Sequence, residues 1–507
     1  MIRSSQLHIG GIRDVNTFRR YLRELGISIP CDSELHSGDR SPLTQPFSLG
    51  KIKIGNRFAV HPMEGWDGTA EGRPTELTTR RWRRFGMSGA KLIWGGEAVA
   101  VCHEGRANPH QLVIGPYALE DLSRLREALV EEHKQSTGST EGLVVGLQLT
   151  HSGRYSRPND HNRPEPRVLY HHPILDKRVG IDDDYPLLTD ADIRRIIDNF
   201  QHAAEIAHRA GFDFVDIKHC HGYLGHEFLS AHTRAGKFGG TFENRTRFLR
   251  EIVKGIRAIA PGLAIGVRLS AFDTVPFQSD PKSSSSSKSA RGVPEAFENL
   301  LPYRWGFGVN QENPTECDLT EPVQFLSLLS PLDISLVNIS AGSPYYNPHL
   351  QRPALFPPSD GYLPPEEPLF RVAQQMQITR TLKQQFPNMF VVGSAYSYLQ
   401  DFLPYVAQAA VRESWVDCVG LGRMVLSYPT LPLDIISGRV IDRRRICRTF
   451  SDCTTAPRAG LPSGCYPLDS HYNQSSAHEE LQRLKRTKSV SRMTTLARNL
   501  DMTSDEN

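Results

Sequence analysis

From about residue 55 to residue 425, short apolar runs alternate with longer stretches in which apolar positions recur every three or four residues. The runs at 57–63, 90–98, 143–149, 212–218, 263–269, 334–339, 389–392 and 416–421 read as strands, and stretches such as 190–209 and 244–260 read as helices. Several runs are continuously apolar rather than alternating, as expected for strands buried on both faces. Strands joined in this way by helices predict an α/β protein, a (β/α)8 TIM barrel with insertions, ahead of a doubly wound parallel sheet.

Elsewhere the pattern breaks. Residues 278–320 hold a serine run, Ser283 to Ser287, then Pro- and Asn-containing sequence with Trp305 and Phe307. They read as a long insertion after the fifth strand, partly flexible and placed to cover the barrel mouth. Residues 1–45 form an N-terminal extension with one amphipathic helix expected at 15–25, and the barrel occupies 46–440. A Cys-containing extension fills 441–473, and from 474 the chain is polar with interleaved Lys and Arg, expected to be a disordered tail or frayed helix.

Composition narrows the function. A net charge of +3 over 507 residues provides no electrostatic case for nucleic acid or a membrane surface. No run approaches the roughly 18 apolar residues of a membrane helix, and the start lacks the apolar stretch of a signal peptide. A cytoplasmic protein with a small-molecule substrate is expected. Eight cysteines spread over this length argue against a disulfide framework.

The densest chemistry lies in Val215-Asp-Ile-Lys-His-Cys-His-Gly-Tyr223, where Lys218, His219, His221 and Tyr223 crowd a strand end. On a strand, Asp216, Lys218 and Cys220 would share one face and His219 and His221 the other, until Gly222 turns the chain. Polar groups at the carboxyl ends of parallel strands are where α/β proteins keep their reactive residues.

Other blocks fall in a telling order: Asn56-Arg-Phe-Ala-Val-His-Pro-Met63, Gly96-Glu-Ala-Val-Ala-Val101, Gln148-Leu-Thr-His-Ser-Gly-Arg154, His221-Gly-Tyr223, Gly266-Val-Arg-Leu-Ser270 and Gly420-Leu-Gly-Arg423. Over roughly residues 45–435 the set resembles the Old Yellow Enzyme or NADH:flavin oxidoreductase family of FMN-binding barrels. The resemblance implies FMN, with NAD(P)H as co-substrate. Arg268 would stabilise charge accumulating near flavin N1 and O2, Gln148 would bond the pyrimidine edge, and Pro62, Met63 and Ala98 would lie against the ring. Backbone at Gly393, Ser394 and Gly422, with the Arg423 guanidinium, would hold the phosphate. Tyr223 would donate the proton and His221 would anchor the substrate oxygen while hydride adds to an activated alkene. Homo-oligomers are common in the family.

Three places depart from the family pattern. Lys218 replaces a His or Asn donor, which points to a negatively charged or strongly polarised substrate. Glu64 replaces a Thr or Cys beside the flavin, and a pair with Lys218 is the expected compensation. The third concerns the branch resembling trimethylamine dehydrogenase and dienoyl-CoA reductase, where four cysteines beyond the barrel hold a 4Fe-4S cluster. Here only Cys447, Cys453 and Cys465 are present, with Phe450 in the second place, so a packed vestige is expected instead of a cluster; a zinc site completed by His471 is a lesser alternative. No Gly-rich βαβ unit follows, so electrons are expected from a dissociable nicotinamide, another small donor or a partner protein. The alternatives to an ene-reductase-type enzyme are an amine-type dehydrogenase or demethylase with a separate acceptor, and a flavin-free scaffold.

Overall fold

The computed structural model describes residues 8–50, 52–283, 290–358 and 361–486. Its frame follows from the apolar runs. A hairpin of β1 (Phe47–Leu49) and β2 (Ile52–Ile54) precedes the barrel strands β3 (Phe58–Val60), β4 (Leu92–Ile93), β5 (Ala98–Ala100), β6 (Val144–Thr150), β7 (Phe214–Ile217) and β8 (Ala264–Ser270). After a second hairpin, β9 (Phe277–Ser279) with β10 (Gly292–Pro294), come β11 (Leu336–Ser340), β12 (Phe390–Gly393) and β13 (Cys418–Leu421). Parallel pairing runs β4-β3-β13-β12-β11-β8-β7-β6-β5, and β4 also pairs with β6, so the ring closes. The result is an eight-stave parallel barrel rather than a doubly wound sheet.

One expected strand is interrupted. The run 90–98 divides into β4 and β5, which together form a single stave and pair in turn with β6. Gly95 and Gly96 lie at the break because backbone and an indole crowd it: a Cβ on Gly96 would meet the Trp82 ring at 2.8 Å. The barrel interior is filled by Ala59, Leu92, Trp94, Val144, Phe214, Leu336 and Phe390, against which the β1–β2 hairpin packs Phe47, Leu49 and Ile52. Gly146 makes room for Phe214, whose ring would lie 2.2 Å from a Cβ there.

The helices outside carry the three-to-four spacing. Asp190–Arg209 starts at Thr189, whose side chain and that of Asp192 satisfy each other's backbone N–H, and buries Ile193, Ile196, Ile197, Phe200 and Ala204. The expected helix at 244–260 divides at Thr246 into Phe242–Arg245 and Arg247–Ile259.

The flanking segments are more ordered than the sequence implied. In the N-terminal extension the helix Val15–Glu24 stacks Phe18 on Phe402 with ring centroids 4.3 Å apart. In the insertion, Tyr303 and Phe307 are buried; most of the serine run, 284–287, lies outside the described residues. Residues expected to begin a disordered tail or frayed helix are helical at 476–486, with Leu481 buried against Tyr466 and Tyr472; 487–507 lie outside the described residues. Among the described residues no helix is long and apolar enough to cross a membrane.

Candidate active site

A cavity of about 270 Å³ opens at the carboxyl ends of the staves. Of the residues singled out from sequence, Pro62, Met63, Glu64, Gln148, Lys218, His221, Tyr223, Arg268, Ser394, Gly422 and Arg423 line it. Two do not reach the lining. The Ala98 carbonyl is taken by Gln111 Nε2 at 2.8 Å, and Gly393 stands behind Ser394, its carbonyl against Gly420. The described residues of the insertion at 278–320 are also absent from the lining. Instead the walls are completed by Pro344, Tyr345, Gln351 and Arg352 after β11 and by Cys453, Thr454, Pro457 and Arg458 of the C-terminal extension.

The turn after β7 breaks the simple alternation of faces. His221 and Gly222 adopt left-handed backbone conformations, φ 66° and 77°. Ser270 Oγ accepts from the His221 N–H at 2.9 Å, and Ser343 Oγ donates to its carbonyl at 2.8 Å. The twist puts the His221 ring on the cavity side, Nε2 2.8 Å from Ser340 Oγ, while His219 packs outward between Phe248 and Phe325. Burial and then the Arg268 charge hold the His221 imidazole well below its usual range, so it is neutral.

Around Tyr223 the expected Glu64–Lys218 contact takes another form. The phenol donates to Glu64 Oε2 at 2.5 Å and lies 2.9 Å from the Tyr345 hydroxyl. Lys218 Nζ stands 3.6 Å from the centre of the Tyr223 ring, a cation–π position. Burial raises the Glu64 carboxyl while the Lys218 charge and the Tyr223 bond pull it down; the balance is upward. Burial likewise lowers the Lys218 ammonium, against the pull of Glu64. Tyr345, which no motif flagged, is stacked on Tyr155 at 4.0 Å.

Across the floor, Asp216 organises three partners. It accepts from Gln148 Nε2 at 2.6 Å, Trp94 Nε1 at 2.7 Å and the Arg268 backbone N–H at 2.7 Å. The first bond fixes the Gln148 amide and leaves its oxygen to accept from a ligand. His61, also missed from sequence, bridges Asn338 and Ser394 at 3.1 and 3.2 Å. Arg81 is buried between Asp67 and Glu97 and braces the loop after β3.

The residues fit FMN. Arg268 Nε, Arg423 Nη1 and Glu64 Oε1 are sealed from solvent without a hydrogen-bond partner among the described residues, a costly state that a polar ligand relieves. Gln148 and Arg268 flank Asp216 on neighbouring staves and share the cavity lining with Arg423. Cys447, Cys453 and Cys465 border a smaller recess behind Arg423, and each is a free thiol. Phe450, in the second ligand's place, turns outward and stacks on Phe356 at 5.6 Å. Among the described residues no group of three or more His, Cys, Asp or Glu side chains is disposed to hold a metal ion.

Comparison with known proteins agrees with this geometry. The chain is 34% identical over 246 residues to an NADPH dehydrogenase from a Geobacillus species, covering 46% of this chain and 64% of that protein. It is 32% identical over 253 residues to an NADH-dependent flavin oxidoreductase from Aspergillus parasiticus, covering 47% and 55%. The match thus spans less than two thirds of these relatives' length. An old yellow enzyme homologue from Zymomonas mobilis shares the fold, with a TM-score of 0.53 at 22% identity, over 79% of this chain and 94% of that one. Residues 42–291 match the model of the NADH:flavin oxidoreductase / NADH oxidase family, a likeness that agrees with the barrel and its cavity.

Proposed function

We propose that the protein is an FMN-dependent oxidoreductase that passes hydride from NAD(P)H through the flavin to an activated alkene or related acceptor, with Tyr223 as proton donor. The observation that carries this reading is the convergence on one cavity of Gln148, Arg268 and Arg423 with Lys218, His221 and Tyr223. Bound FMN supplies the hydride acceptor and donor. The protein supplies the rest. Arg268 balances negative charge at the pyrimidine edge, and Gln148, held by Asp216, orients that edge.

Adding hydride to one alkene carbon leaves a carbanion or enolate at the other, so one proton must follow. Neutral His221 and Lys218 are placed to hold the acceptor's electron-withdrawing oxygen, and Lys218 suits one that carries charge. The Tyr223 hydroxyl delivers the proton and Glu64, with its raised carboxyl, returns one to the phenol. Read in the other direction, the same phenol–carboxylate bond accepts a proton from a substrate losing hydride. That bond favours, as the second reading, an amine-type dehydrogenase with a separate acceptor.

Anaerobic mixing of the FMN-loaded protein with NADH or NADPH separates these readings. Bleaching of the flavin bands by nicotinamide, then reoxidation by an enone with uptake of one proton, is the expected result. Bleaching by amines alone selects the dehydrogenase. A protein that binds no FMN overturns both and leaves the scaffold.

A further inference from the structure

Among the described residues, two guanidinium groups in the cavity wall have no acid to answer them. Arg352, at the end of the helix Pro348–Gln351, keeps Nε and Nη2 sealed from solvent with no hydrogen-bond partner, and Arg423 keeps Nη1 in the same state. Their remaining bonds go to neutral groups: Arg352 Nη1 donates to Thr454 Oγ1, and Arg423 Nη2 donates to the Pro353 carbonyl at 2.8 Å. Neither makes an ion pair among the described residues. Two like charges held together with orphaned N–H groups in a closed wall are costly unless an anion sits between them.

Resting on the FMN reading above, we propose that Arg352 and Arg423 form a paired-guanidinium clamp on the FMN phosphate, and that the C-terminal extension serves the cavity by holding Arg352 in that clamp through Thr454. Charge supports the match, since two monocations meet one dianion and each fork can donate two N–H bonds. Were Arg423 the sole partner, Arg352 would retain two buried donors with no acceptor. Position supports phosphate over a substrate anion. Arg423 follows β13, which stands opposite β7 in the eight-stave ring, while Lys218, His221 and Tyr223 follow β7. Burial and then the neighbouring Arg423 charge push the Arg352 guanidinium down to about 10, a cost that the anion removes.

Titration of the full-length apoprotein with FMN and, separately, riboflavin tests the clamp, because riboflavin lacks only the phosphate. In Arg352→Gln the FMN dissociation constant is expected to rise about 10- to 100-fold, the loss of one charge-assisted contact, with riboflavin affinity unchanged. Arg352→Lys should recover part of the loss, and Thr454→Val should give a smaller, FMN-only loss. Equal losses for both flavins, or unchanged FMN affinity in Arg352→Gln, overturn the clamp; the latter, with inorganic phosphate bound by FMN-loaded wild-type protein and not by the FMN-loaded variant, moves the site to a substrate anion. An unaffected Thr454→Val overturns the role given to the extension. Wild-type protein that binds neither flavin overturns the FMN reading itself.

Discussion

Tyr223 is held by a carboxylate on one side, a second phenol on another and an ammonium over its ring, and each partner changes what its proton can do. Burial, then Glu64 and Tyr345, push the phenol well above its ordinary value, which keeps it protonated at neutral pH, as the proposed proton transfer requires. Tyr223→Phe is therefore expected to slow acceptor reduction by about 10²- to 10⁴-fold while flavin reduction by NAD(P)H is unchanged, a split that stopped-flow measurement of the two half-reactions resolves. Glu64 carries a separate signature. Its carboxyl is raised, so its protonated form, which in the proposed mechanism returns a proton to Tyr223, is depleted as pH climbs through that raised value. Acceptor reduction should slow over that window, and Glu64→Gln should remove the pH-dependent limb; a limb that persists in the variant would assign it to another group.

Among the elements, the loops after β8 and β11 are locked together at Asp273. This buried carboxylate accepts from Tyr346 Oη at 2.8 Å and Asn347 Nδ2 at 2.7 Å, residues of the same loop that presents Tyr345 to the cavity. Burial lifts its pKa from 3.8 to about 6 despite those bonds. The folded state thus keeps a proton that the unfolded chain releases: the extra stability is complete below the ordinary value and is lost as pH rises through about 6. The loss is on the order of 3 kcal/mol, and Asp273→Asn should flatten the slope of stability against pH between about 4 and 6 in chemical denaturation. The contact between β13 and β3 is equally specific. A Cβ on Gly420 would lie 2.0 Å from His61 Cε1 and 2.6 Å from the Gly393 carbonyl. Gly420→Ala should cost about 1–3 kcal/mol through overpacking and loosen flavin retention by displacing His61 from Ser394, as thermal melts with and without FMN will register.

At the scale of the whole molecule, the barrel supplies the floor of the cavity and the segments added to it supply the walls. The extension that carries Cys447, Cys453 and Cys465 is anchored away from the cavity by Arg80, whose two terminal nitrogens meet the Asp469 carboxylate at 2.9 and 2.8 Å. It also contacts the loop after β3, where the Trp66 N–H donates to Ser463 Oγ at 2.9 Å. Its thiols are raised by burial at Cys447 and Cys465, which favours neutral thiol over metal-binding thiolate. Anaerobically purified protein is expected to show flavin absorbance with iron far below one atom per chain, measured by elemental analysis; stoichiometric iron would restore the cluster.

The barrel was legible in the sequence because its strands are buried on both faces, and such strands can only read as apolar runs spaced by amphipathic helices. The floor of the site was legible for a related reason: Gln148, Lys218 and Arg268 are polar residues at the ends of those runs, where polarity has no structural excuse. What the sequence could not carry was the partnership of distant residues. The stacking of Tyr345 on Tyr155, the Tyr223–Glu64 bond across 159 positions and the approach of Arg352 to Arg423 arise only when loops after different staves meet. The left-handed turn at His221 also defeated a face-by-face reading, since one residue with positive φ redirects every side chain after it. Strand periodicity is a local property of the chain and determined the barrel; the walls and charge balance of the cavity depend on long-range packing, and only the tertiary structure decided them.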